Sequence, residues 1–157
     1  MTTSAFEAAT GDGPAPPDAA ASERRAAEVR VAYEGLLQIR RLTNTAGGDP
    51  GAVPAAWERN QPARAVALAL EAAGIPPSAC AADGRRTATG YRVGPGERPD
   101  TVRVEWLGPP GGGAAQDEEQ ALARCARALD RLGWETLLYR GPRRRRFLEV
   151  EPLSAGQ

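Results

Sequence analysis

Histidine and lysine are both absent from this 157-residue chain, and methionine occurs once. Without histidine, a Ser-His-Asp or Cys-His catalytic arrangement cannot be built. The two cysteines, Cys80 and Cys125, are too few for a disulfide framework or a zinc site of ordinary spacing. Aromatic residues make up 5% of the chain, and no apolar run approaches the roughly 18 residues of a membrane-spanning helix. The first residues, MTTSAFEAATGDGPAPPDAAAS, have no basic stretch ahead of an apolar one, so no secretory leader is expected. These absences predict a cytoplasmic protein with no cofactor, no metal and no membrane contact. There is also no excess of either charge: 20 basic residues meet 20 acidic ones. Global electrostatics therefore give no reason to expect a polyanion partner.

What is present is alanine, glycine, proline and arginine. Every basic residue is arginine, a usage typical of a GC-rich genome. Arginine then fills surface positions that lysine fills elsewhere, which weakens each arginine as a sign of guanidinium chemistry.

Residues 1–21 hold few large apolar side chains. Such a segment cannot offset its ordering entropy by burial, so it is expected to be a disordered arm. An amphipathic helix is predicted over 22–45, capped by Ser22, with Val29, Ala32, Tyr33, Leu36, Ile39 and Leu42 at helical spacing. A linker follows at 46–56. An α+β domain then spans 57–153, and 154–157 form a tail. Inside the domain, Pro62 opens a helix that Gly74 closes, with Ile75 placed to touch Leu70. Residues 77–88 read as loop. TGYRV and TVRVEWL read as strands, with Val102, Val104 and Trp106 on one face. Asp117 and Gln120 have the form of a capping box, followed by the apolar stripe Leu122, Cys125, Ala126, Leu129 and Leu132. ETLLYR and RRFLEVEP make a last hairpin.

The order helix, hairpin, helix, hairpin predicts a two-layer sandwich: a four-stranded sheet from two β-hairpins, with two helices on one face. LALEAAGI aligns with RALDRLGW, and YRVGPGERPDTVRVEW with LLYRGPRRRRFLEVEP, which suggests a duplicated helix–hairpin unit. Shared composition is the alternative explanation. The amphipathic helix stands apart, free to cover the sheet or to dimerise.

Few residues carry chemistry. Cys125 falls in an apolar helical stripe and reads as core. GPPGGG precedes a helix but lacks the lysine of a phosphate loop, and Asp117, Glu118 and Glu119 would repel a phosphate. No catalytic, cofactor-binding or metal-binding residue is assigned. Trp57 stands among few apolar neighbours, as an anchor for the linker or as a partner contact. The run RGPRRRR puts Arg140, Arg143, Arg144, Arg145 and Arg146 at a hairpin tip, a candidate contact for an anion or an acidic surface. Strand alternation divides the run between two faces, Arg146 with Leu148 and Val150, Arg145 with Phe147 and Glu149. The sequence predicts a small non-enzymatic protein acting through protein–protein contacts, as an adaptor or accessory component of a larger assembly, or with itself as a homodimer. The alternative is a DNA- or RNA-binding regulator using the arginine hairpin.

Overall fold

The computed structural model describes residues 6–45 and 47–153. The expected tail at 154–157 and residues 1–5 of the expected arm lie outside that range.

Helix α1 (Ala19–Thr43) begins earlier than predicted. Asp18, and not Ser22, is its cap, accepting from the Ala21 N–H at 2.8 Å. Three alanines, Ala19 to Ala21, have the highest helix propensity and carry the helix back to Asp18. At its end, the Asn44 amide donates to the carbonyls of Pro50 (2.8 Å) and Val53 (2.9 Å), which folds the expected linker back on the helix. That linker contains a short 3-10 turn at Pro50–Ala52, and a one-turn helix α2 (Ala56–Asn60) follows it.

Helix α3 (Pro62–Ala72) forms where its proline and glycine predict. Gly74 takes φ 84°, and the Ile75 N–H returns to the Leu70 carbonyl at 3.2 Å, closing the helix in a left-handed cap. From Ala65 to Leu70 the helix is apolar and buried on all sides. Val66, Ala69 and Leu70 belong to the core shared with the sheet. Leu68 points the other way and packs on Val29 and Leu36 of α1. The amphipathic helix therefore backs α3 and does not touch the sheet face as a cover.

The stretch predicted as loop holds a two-stranded ribbon, β1 (Ala79–Cys80) with β2 (Arg86–Ala88). Then come β3 (Gly90–Pro95), β4 (Val102–Leu107), helix α4 (Ala114–Asp130), β5 (Trp134–Arg140) and β6 (Arg146–Pro152). The last four strands form one antiparallel sheet in the order β3-β4-β6-β5. The two hairpins meet along β4 and β6, with Arg103 opposite Glu149 and Val104 opposite Leu148. Turning the sheet about an axis near Arg103 and Glu149 exchanges the hairpins, the arrangement that a doubled helix–hairpin unit produces. Tyr91, Val93, Val102, Val104, Trp106, Trp134, Leu148 and Val150 face α3 and α4 in a single core. The fold is thus α+β, with both helices on one face and the long N-terminal helix behind them.

Helix α4 starts at Ala114, a turn before the predicted capping box. Gly113 at φ 84° makes the entry, and Ala114 is buried, so two more alanines join the helix and Asp117 becomes an exposed interior position.

Residues 6–18 differ from the expected disorder. They form a strap along the outer edge of β3. The Val93 N–H donates to the Thr10 carbonyl and the Cys80 N–H to the Gly13 carbonyl, each at 2.8 Å. Asp12 pairs with Arg86 (2.6 Å) and Arg92 (3.0 Å). Gly11 at φ 102° runs so close that a side chain would come within 2.3 Å of the Tyr91 carbonyl. The ordering entropy is offset here by hydrogen bonds to an edge strand and by carboxylate–guanidinium pairs. A count of apolar residues does not register either.

Candidate functional site

The last hairpin carries every arginine of the predicted contact run. Gly133, at φ 81°, ends α4, and a side chain there would sit 2.2 Å from the Ala52 carbonyl. Trp134 is buried and anchors the start of β5. Beyond it the strand, last in the sheet order, is largely exposed. Leu137, Leu138 and Tyr139 are 57%, 54% and 46% exposed. Strand β6 alternates as a half-buried strand should, with Leu148 and Val150 inward.

The turn between them is tight. The Gly141 N–H donates to the Arg145 carbonyl at 2.6 Å. Arg143 adopts φ 61°, the left-handed region that costs a side-chain-bearing residue energy. Arg144 completes the turn. Arg145 is not a free cation. Its guanidinium donates to Glu118 on α4 (2.5 Å) and to the Trp106 carbonyl (2.6 Å). The other Glu118 oxygen accepts the Arg146 N–H at 2.6 Å, and the Arg146 guanidinium lies 3.8 Å from Glu119. Glu118 is only 2% exposed, so Arg145 staples the hairpin tip to the helix. Arg140 and Arg143 remain exposed and enter no ion pair among the described residues. The five arginines are neighbours in sequence, but only part of the run is available to a partner.

Trp57 behaves as an anchor. It lies in α2, half-buried, touching both the sheet core and the α1–α3 cluster. It lies away from the arginine tip, so the structure does not bring the two candidates together.

The open face of the sheet divides in two. Over β3 and β4 it is ion-paired, with Arg92 on Glu105 at 3.0 Å and Arg103 on Glu149 at 3.7 Å. Toward the hairpin tip of β5 and β6 it is apolar. Tyr139 stacks on Phe147 at 5.7 Å, Leu137 lies beside them, and the Arg103 guanidinium caps the Phe147 ring at 3.9 Å.

Edges also differ. The outer side of β3 carries the strap, whereas among the described residues β5 pairs with β6 alone. Within the hairpin, the Gly141 N–H and the Gly133 carbonyl both face β6. By strand alternation, the backbone N–H and C=O groups of Trp134, Thr136, Leu138 and Arg140 point outward from the sheet. Among the described residues nothing fills this row of donors and acceptors.

Sequence reading missed Leu137, Leu138 and Tyr139 as surface residues. The signal was there: three large apolar residues in a row break the alternation that Val102–Leu107 keeps.

Two groups that carry chemistry in other proteins, Cys125 and Tyr91, are buried. Cys125 is fully buried, and burial pushes its thiol up to about 12. Cys80 and Cys125 are both free. Tyr91 is buried, with its hydroxyl against the Ala9 (2.8 Å) and Ala67 (3.1 Å) carbonyls. Burial, with the Glu71 carboxylate nearby, raises its pKa well above the ordinary phenol value. Among the described residues no three Cys, Asp or Glu side chains converge on one point as metal ligands would. No known protein-family model matches the chain, and neither does any curated protein or solved structure.

Proposed function

We propose that this chain is a non-enzymatic cytoplasmic protein that works through protein–protein contact, as an accessory component of a larger assembly, and that the outer edge of β5 is its contact surface. One observation carries the reading. The β5 edge offers backbone groups that have no partner among the described residues, beside Leu137, Leu138 and Tyr139, all near half exposed or more. A long apolar edge is an aggregation hazard that proteins normally cover, as this one covers β3. Leaving it open is consistent with an edge that another strand fills.

A photo-crosslinking residue at position 138 tests this in the native host, against a control at Glu23, an exposed position on α1. The expected result is a discrete crosslinked species at 138 and none at 23. No discrete product at 138, or the same products at both, would remove the reading.

Nucleic-acid binding is the second reading, supported by the exposed Arg140 and Arg143. Arg145 is committed to Glu118, and the chain has no net charge, so this reading rests on few cations. It requires an affinity for short duplexes that falls steeply with salt.

A further inference from the structure

The geometry points to a second copy of this chain as the occupant of the β5 edge, paired antiparallel across a two-fold axis with Leu138 opposite the partner's Leu138. This rests on the contact reading above and names its partner. The outward backbone groups belong to even-numbered residues, so an antiparallel edge pair must join even residues to even ones. Two central registers satisfy this with both sheets' helices on one side. One centres on Leu138, the other on Leu137.

Charge decides between them. Thr136 donates to Asp130 at 3.1 Å, which places that carboxylate beside Thr136 on the helix-covered face. With Leu138 on the axis, Thr136 lies opposite the partner's Arg140. Cross-strand neighbours stand about 5 Å apart, so Arg140 reaches the partner's Asp130. Asp130 also ends α4, where the helix dipole favours a cation. Both residues are exposed, and neither forms an ion pair within the chain among the described residues. Centring on Leu137 instead puts Leu138 opposite Thr136 and leaves Asp130 without its cation.

The favoured register also places Leu137 opposite the partner's Tyr139 on the open face. The Tyr139–Phe147 stack of each copy then joins into one apolar band. Each contact off the axis occurs twice, as an isologous interface requires. The result is a continuous eight-stranded antiparallel sheet whose outer edges are both β3, each closed by its own strap.

Sedimentation velocity on the purified full chain, from low micromolar to near-millimolar concentration, tests the assignment. Wild type should shift from monomer to dimer. Arg140→Asp and Asp130→Arg should each raise the dimer Kd at least about tenfold, and the double variant should recover most of that loss. Leu138→Pro loses an N–H that points outward, so the hairpin ladder keeps its bonds while edge pairing fails. Circular dichroism checks that each variant folds. A wild type that stays monomeric throughout overturns self-pairing, and so does a dimer indifferent to Leu138→Pro or unrescued by the charge swap. A monomer that still crosslinks another host protein at 138 overturns only the choice of partner. A monomer without such crosslinks removes both claims.

Discussion

Arg40 and Glu58 are both fully removed from solvent, and each satisfies the other. The guanidinium meets the carboxylate at 2.8 and 2.7 Å, donates to the Gly51 carbonyl at 3.0 Å, and leaves the carboxylate to accept the Ala55 N–H at 2.8 Å. This pair fastens the end of α1 to α2 across the linker. Arg40→Ala or Glu58→Ala strands a buried charge and should cost about 3–5 kcal/mol. Arg40→Met with Glu58→Leu removes both charges, so it should cost less than either single change. Urea unfolding followed by tryptophan fluorescence reads this, and additive costs would contradict it. In sequence, Arg40 looks like an ordinary helix-end cation, because its partner lies 18 positions away. The same limit applies at the hairpin tip. Alternation assigned Arg145 to the face of Phe147 and Glu149, away from α4; the residue lies in the turn before β6, and nothing local reveals that Glu118 of α4 would claim it.

Among the elements, α3, β3, β4 and the last hairpin are legible because Pro62, Gly74, Gly133 and the alternation of β4 and β6 mark them. The N-terminal strap is not, since its partners are backbone groups of β3 and two distant arginines. That docking has a pH dependence. Burial acts to raise the pKa of Asp12, but hydrogen bonds from Arg86 and Arg92, with their charges, outweigh it and hold it below the ordinary aspartate value. A lowered carboxylate pKa stabilises the docked strap above the ordinary value, and that contribution disappears as pH falls through the lowered one. The Val93 amide resonance, which reports the bond to Thr10, should therefore move toward an undocked position in acid. Asp12→Asn should flatten that response, and an unchanged acid transition in Asp12→Asn would assign it to other groups.

At the scale of the whole molecule, two similar hairpins meet about an approximate two-fold, yet their outer edges are treated differently. The first hairpin's edge is closed by the strap, and the second's is open and apolar. The helix–hairpin order was readable, because each helix ends at a glycine, Gly74 or Gly133, and a hairpin follows. The asymmetry was not readable, because the strap's composition resembles a linker and the exposure of Leu137, Leu138 and Tyr139 follows from β5's place at the end of the strand order. The central claim is that the open edge of β5 is paired in the working protein. Amide hydrogen exchange along β5, compared between dilute and concentrated protein, tests it most directly. The Leu137 and Tyr139 amides face β6 and should be protected in both samples. The Thr136, Leu138 and Arg140 amides should exchange freely when dilute and become protected when concentrated. Rapid exchange of those three at every concentration, with the β6-facing amides protected throughout, would contradict the pairing.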